Sequence, residues 1–277
     1  MKRILLLIIG ATLTITLAQA QSTKDTLKVV SYNIRNGEAN DGTNSWNFRY
    51  PATILMLEDQ MPDIFGLQEA YSYQVKFIEE NMKDYKTYGL GREDGKKEGE
   101  FMSIFYNTKK IKMGKRGTFW LSQTPKKPSM GWDAACRRTA TWAFMKMKKS
   151  GKEFIYVNTH LDHVGKEARK EGLTLIVDYI AKLNTKNLPV VLTGDFNVTP
   201  DDPCLESLEG KMISVRDEAT STDRHATYNE WGRANKVIDY IYQSGFDSMP
   251  LFKTLTKRYG QWKYISDHYP VSALLVF

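Results

Sequence analysis

Six places in this 277-residue chain set a polar, chemically capable residue at or beside an apolar run. Val29-Val30-Ser31-Tyr32-Asn33 ends on an amide, and Asp63-Ile64-Phe65-Gly66-Leu67-Gln68-Glu69 ends on an amide and a carboxylate. Phe154 to His160 ends on an imidazole, and Val190 to Asn197 closes with Asp195 and Asn197. Val237-Ile238-Asp239-Tyr240 carries Asp239 within it, and Ser266-Asp267-His268 precedes the last apolar run. A single polar residue in such a position usually makes a turn or a cap. Six together point elsewhere, because β-element ends hold the backbone rigid while side chains face a cleft. Carboxylates, amides and two histidines suit a hard, oxygen-ligated cation and a phosphate group.

The chemistry such a set can perform is hydrolysis of a phosphate ester. The ester is an anion, so attack by water needs charge neutralisation and an in-line nucleophile. A divalent ion supplies the first, a carboxylate base prepares the water, and histidines donate to the developing oxyanion. An Asp–His pair fixes the tautomer and raises the basicity of its histidine. Other chemistries lack their signatures: there is no GxSxG elbow, no GxxxxGK[ST] or GxGxxG loop, and no HExxH. His160 and His163 are three residues apart on what reads as a loop, not a zinc-binding helix. His163 and His225 read as structural.

The elements that must position these residues read as alternating strands and helices. Leu27–Ile34, Asp63–Leu67, Phe101–Asn107, Arg138–Met147, Phe154–His160, Val190–Gly194, Val237–Tyr242 and Val271–Phe277 are rich in β-branched or aromatic residues. Helical spacing marks Tyr50–Asp59 and Gly165–Leu183. Many strands with a few intervening helices predict a layered α/β fold with mixed sheets. No repeat or Pro/Ser-rich linker interrupts residues 27–277, so one domain is expected. The charge runs at Lys96–Glu98, Lys109–Lys112 and Lys146–Lys149 read as solvated loops, with a basic rim for an anionic substrate as the alternative.

With 42% hydrophobic and 26% charged residues, the composition excludes disordered, collagenous and multi-span membrane classes. Lys2-Arg3, the apolar stretch from Ile4 to Leu17 and Ala18-Gln19-Ala20 predict a cleaved signal peptide over residues 1–20. The stretch falls short of the about 20 residues a membrane span needs. An exported protein, periplasmic or secreted and without a membrane anchor, is therefore expected. Cleavage leaves residues 21–277, and the formal charge falls from +7 to +5. That is a mild attraction to phosphate rather than a nucleic-acid footprint. Cys136 and Cys204 have no metal-binding spacing and read as two buried thiols, although an oxidising compartment would permit a disulfide.

In order, the motifs SYNIR, GLQEA, THLDH, GDFN, VIDYIY and SDHYPV resemble the endonuclease/exonuclease/phosphatase superfamily, the DNase I-like proteins. The resemblance runs from Leu27 to the C-terminus, and Trp46-Asn47-Phe48-Arg49 followed by PDIFGLQEA most resembles the exported bacterial hydrolases and the deadenylase-like branch. It implies a four-layer α/β sandwich, two packed mixed β-sheets flanked by helices. It implies Mg²⁺ as cofactor, with Mn²⁺ or Ca²⁺ able to substitute. Glu69, Asn33 and Asp267 match the metal side of the site. Asp195 matches the carboxylate that positions or deprotonates the attacking water, and Asn197 its partner in orienting the phosphate. His160 and His268 match the two phosphate-binding histidines, and Asp239 the carboxylate that orients His268. Glu100 resembles an acidic residue that supports the first histidine. Arg137 or Arg138 resembles an arginine of the exported branch and is a candidate phosphate fork.

Loops select the substrate in such a superfamily, so class is far better specified than substrate. A nuclease or nucleotide phosphodiesterase acting as a monomer is the expectation, with a sphingomyelinase-like lipid phosphodiesterase or an inositol-type phosphatase as alternatives. Phe119-Trp120-Leu121 through Met130-Gly131-Trp132 reads either as a membrane-facing aromatic hairpin or as a buried strand and loop. A non-catalytic binding module on the same fold would be expected to lack Glu69, Asp195 or His268. All three are present.

Overall fold

A computed structural model describes residues 25–277; the expected signal peptide lies outside the described residues. Two six-stranded mixed sheets pack face to face. The first runs β11 (Ser248–Thr254), β12 (Val271–Val276), β1 (Thr26–Asn33), β2 (Ile64–Gln68), β4 (Ile104–Asn107) and β3 (Tyr85–Tyr88). The second runs β5 (Ile111–Trp120), β6 (Thr139–Met147), β7 (Glu153–His160), β8 (Val190–Asp195), β10 (Asp239–Ser244) and β9 (Ile213–Ser214). Helices α1 (Trp46–Gln60) and α2 (Ser72–Asn81) cover the first sheet, and α3 (Lys166–Leu183) covers the second. The single turn α4 (Val215–Glu218) closes one edge of the inter-sheet core through Val215. This is the four-layer sandwich expected from the sequence.

Strand alternation sorts the cores. On β1, Leu27 and Val29 join the core between the sheets, while Val30 and Tyr32 pack under α1. On β7, Phe154 and Tyr156 face the opposite sheet and Ile155 and Val157 face α3. Each such side chain contributes about 1.5–3 kcal/mol on burial, and the period of two fixes register because a one-residue slip would turn every core residue outward.

Register also explains why residues far apart in sequence meet. β1 and β2 are parallel, with Asn33 opposite Gln68; β7 and β8 are parallel, with His160 opposite Asp195. β10 runs antiparallel to β8 and begins with Asp239 opposite Asp195. β12 runs antiparallel to β1 and pairs Val271 with Ser31, so His268 lies just before it at the same end. Four strand C-termini and two strand N-termini therefore share one end of the sandwich.

Several elements differ from their predicted extent. α1 starts at Trp46 rather than Tyr50 and carries Pro51 inside it. Asp239 opens β10 instead of lying within it. Phe101 makes only isolated bridges, to Ala70 and Gly91, before β4 begins at Ile104. The stretch at Phe119–Leu121 is buried: Phe119 stacks on Tyr179 with centroids 4.1 Å apart, and the Trp120 indole donates to the Arg92 carbonyl. Phe119 and Trp120 therefore face no membrane, while Met130 further along the same stretch is exposed and Trp132 half-buried. Among the described residues, no helix is long and apolar enough to cross a membrane. The lysines of the three charge runs are all exposed; most lie in turns, but Lys112 is on β5 and Lys146 on β6.

Candidate active site

Toward the shared end, the inter-sheet face turns from apolar to polar. Gln68 donates to Asn158 Oδ1 at 2.7 Å and to Ser31 Oγ at 3.2 Å, and Thr193 donates to Asn158 Oδ1 at 3.1 Å. Asn158 in turn donates to the carbonyls of Leu67 and Ser103. A Cβ at residue 66 would collide with the Asn158 amide, so glycine there makes room for this network. Buried amides need such partners to offset desolvation. One residue further along each strand face comes the site itself.

Asn33 is its hub. Its Nδ2 donates to Glu69 Oε1 at 3.0 Å and to Asp195 Oδ2 at 2.9 Å, joining a carboxylate of each sheet, while its Oδ1 accepts from the Arg35 N–H. Glu69 Oε2 accepts from the Asn36 N–H at 2.7 Å. Asp195 Oδ1 accepts from the Asn197 N–H, and the Asn197 amide donates to Leu161 O and to His160 Nε2 at 2.9 Å. His160 Nε2 being an acceptor, its proton sits on Nδ1, which has no protein partner. His268 Nδ1 pairs with Asp239 Oδ2 at 2.8 Å, and its Nε2 lies 3.7 Å from Asp195 Oδ2. Ser266 ties this corner to β1, donating to Asn33 O. Arg49, fully buried, adds bonds to Ile34 O and Ile265 O.

Three residues just past the strand ends adopt left-handed backbone: Arg35 (φ 64°), Glu69 (φ 62°) and Asn197 (φ 55°). Non-glycine residues accept this region at about 1–2 kcal/mol. All three border the cleft, where the sharp turn aims their side chains inward.

Electrostatics separates the two histidines. Burial opposes charge on His268, but Asp239, Asp195 and Asp267 outweigh it and push its pKa up to about 10. His160 is held neutral well below the ordinary imidazole value by burial, with Arg138, Arg92 and His268 adding repulsion. Burial and the neighbouring Asp239 push Asp195 up to about 7 despite His268, the Asn197 N–H and Asn33. For Glu69 burial acts upward, yet His268, Asn33, the Asn36 N–H and Arg35 bring it below the ordinary glutamate value. Asp267 is raised, mainly by burial, with His268 opposing.

The cleft has a volume of about 610 Å³ and is lined by Glu69, Glu100, Arg138, His160, Asp195, Asn197, Asp267 and His268 among the expected residues. Asn33 and Asp239 lie directly beneath, bonded to Asp195 and His268. Asp267 sits against Arg35 at 3.5 Å, beside the group of Glu69, His160 and Asp195 whose ligand atoms all lie within 4.8 Å of one another. Glu100 reaches the cleft but bonds Arg92 at 2.5 Å, not His160. Arg137 does not line the cleft; it pairs with Glu93. Cys204 is buried, whereas Cys136 is only half-buried and opens on the cleft, because the turn carrying it lies over Asp162. Both are free thiols. His163 is exposed and bonds Arg138, and His225 lies outside the cleft. Arg35, Arg92, Tyr228 and Lys236 line the cleft without having been singled out; they come from turns that carry no periodic signal.

A profile of the Endonuclease/Exonuclease/phosphatase family matches residues 30–268. The chain belongs to this family. A family member of known structure from Bacteroides thetaiotaomicron is 36% identical, with a TM-score of 0.86 over 92% of this chain and 96% of that one. A mannosyl-6-phosphatase of Bacteroides thetaiotaomicron is also 36% identical, with a TM-score of 0.86 over 91% of this chain and all of that one. An uncharacterized protein of Acanthamoeba polyphaga mimivirus is 28% identical over 88% of this chain and 98% of its own length. The family hydrolyses phosphoric esters and generally uses divalent metals. The donor set here fits such an ion. A half-buried and a buried carboxylate, Glu69 and Asp195, share one amide donor, and Asp195 is raised by burial and by the neighbouring Asp239, both of which a cation would offset.

Proposed function

We propose that this protein is an exported, Mg²⁺-dependent phosphoester hydrolase acting on a small phosphate ester of a sugar-like alcohol. The carrying observation is the convergence of Glu69, Asp195 and His160 within 4.8 Å around Asn33, with cationic His268 at their side. Glu69, aided by Asp267, would hold the ion, which when bound neutralises phosphate charge and polarises a phosphoryl oxygen. Asn33 keeps Glu69 and Asp195 at fixed separation. Asp195 takes a proton from water as its oxygen bonds to phosphorus. The ester P–O bond breaks, and the alcohol leaves with a proton from solvent. His268, held charged by Asp239, donates to the phosphoryl oxygens as charge builds on them, with neutral His160 beside Asp195 on the other side of the site. Asn197 fixes the tautomer of His160 and the rotamer of Asp195 together.

The likeness to a mannosyl-6-phosphatase supports the sugar-linked substrate. Export is supported by the residue pattern of positions 1–20. A nucleotide or nucleic-acid phosphodiester, the class favoured by sequence, is the second reading, supported by exposed Lys236 on the Tyr228 side of the cleft. Burial of Phe119–Leu121 removes the main support for a lipid substrate. Turnover of mannose 6-phosphate, p-nitrophenyl phosphate, bis-p-nitrophenyl phosphate, a dinucleotide and a plasmid, with Mg²⁺ and with EDTA, tests these readings. Mg²⁺-dependent release from the monoesters is expected. No turnover of any ester with Mg²⁺ or Mn²⁺ would sink the enzyme reading.

A further inference from the structure

The cleft extends beyond the metal and histidine centre into an arm built from three turns. Arg92 and Glu100 come from one turn, Arg138 from the lead into β6, and Asp162 from the loop after β7. The first turn is rigid: the Arg92 N–H donates to Glu100 O, the Glu93 N–H to Glu98 O, and the Trp120 indole to Arg92 O. Every cation in this arm already faces a carboxylate. Arg92 meets Glu100 at 2.5 Å and Glu93 at 3.3 Å, and Arg138 meets Asp162 at 3.3 Å.

Pairing is nevertheless incomplete. Arg138 has a side chain only 6% exposed, and its Nη1 is buried without any partner. Glu100 uses only Oε2 on Arg92, leaving Oε1 as an acceptor at the cleft wall. Buried guanidinium donors rarely go unpaired in a folded protein. Arg137 Nε, Arg169 Nε and Arg216 Nη1 are also buried without a partner, but of these arginines only Arg138 lines the cleft.

We infer that this arm binds the hydroxyl groups of an uncharged polyol, the alcohol part of the substrate ester, with Arg138 donating and Glu100 accepting. A second phosphate is disfavoured, since Glu93 and Glu100 stand beside the Arg92 guanidinium and Asp162 beside that of Arg138. Adjacent hydroxyls of a pyranose both donate and accept, which matches a neighbouring carboxylate and guanidinium. The inference rests on the phosphoester-hydrolase reading and deepens it by assigning the leaving-group side.

The test compares kcat/KM for mannose 6-phosphate and for p-nitrophenyl phosphate in Mg²⁺, in the parent, Glu100→Gln and Arg138→Lys, together with inhibition by free mannose. Losing one charge-assisted bond should lower the ratio of the two specificity constants about 10- to 100-fold. It should also weaken mannose inhibition in the same proportion. Circular dichroism identifies a variant that fails to fold, and Glu100→Asp or Arg138→Gln then replaces the one that fails, with a drop in the same ratio expected. A ratio unchanged in folded variants overturns the inference while the hydrolase reading stands. A parent that prefers the dinucleotide and ignores mannose also overturns it. A parent inactive on every ester overturns both.

Discussion

The two ends of the inter-sheet interface are built on the same strands and the same face, yet they do opposite work. On β7 the inward residues run Phe154, Tyr156, Asn158, His160. Phe154 sits among Phe246 and Phe277 in an apolar core, whereas six residues later His160 borders the cleft. β1 repeats the gradient from Leu27 and Val29 to Ser31 and Asn33, and β8 from Val191 through Thr193 to Asp195. One end lowers the free energy of the fold by removing carbon from water. The other spends part of that stability on buried charge and left-handed turns, which position groups for chemistry. Mutations at the two ends should therefore separate stability from turnover.

The largest expected effect is at the polar end. Asp195→Asn keeps the shape and can keep the bond from Asn33, at the loss of the acceptor for the Asn197 N–H, but it removes the base, so kcat should fall about 10⁴-fold, ~5 kcal/mol of barrier. Thermal melting should be unchanged or higher, because a buried carboxylate with its pKa pushed up to about 7 carries a cost when charged. Single-turnover kinetics with melting curves checks both. A variant that melts early would erase the contrast between the ends.

Phe154→Ala probes the apolar end. Emptying that place should cost about 3–5 kcal/mol of stability, measured by urea unfolding. Turnover per folded molecule should stay near the parent's, since Phe154 is remote from the cleft lining. Loss of turnover without loss of stability would show that the two ends are not separable.

Next in size is a pH effect at the boundary between sheet and site. His268 has its pKa raised to about 10 from 6.5, so its stabilisation is fully present below pH 6.5 and is lost as pH rises through 10. Asp239→Asn removes the 2.8 Å partner and should shrink this alkaline loss and move it to lower pH. Urea unfolding from pH 6 to 10 in EDTA reads it directly. An identical alkaline slope in parent and variant would remove Asp239 from the role assigned to it.

The same gradient governs what could be read from sequence. The interior strands β1, β2, β4, β6, β7, β8, β10 and β12 show as apolar runs because both their faces are covered. The expected strands omitted β3, β9 and β11 and most of β5, which are the four sheet edges. Edge strands carry charge, as Lys112, Lys115 and Arg116 do on β5, and so lose the apolar signature. α2 escaped because its apolar residues are few, Val75 and Ile78 being the buried pair with Gln74. Asn33, Glu69, His160 and Asp195 were legible because each ends an apolar run. Arg92, Arg138 and Asp162 meet only through turns, and no local pattern encodes Arg137 finding Glu93 across 44 residues.

Asn158 stands midway on β7 and gives the smallest effect and the sharpest test of the gradient. It touches neither end directly, yet it bonds Gln68, Thr193 and two carbonyls of the first sheet. Asn158→Ala should cost about 2 kcal/mol, since those partners are left buried and unsatisfied. It should also slow turnover by about tenfold, because Gln68 leads directly into Glu69 and a slight shift of one sheet displaces reacting groups. The stability loss should be smaller than for Phe154→Ala, and the loss of kcat smaller than for Asp195→Asn. If Asn158→Ala changes stability alone, the polar layer merely fills the interface. A matched change in both makes it the layer that sets the spacing of Glu69 from His160 and Asp195.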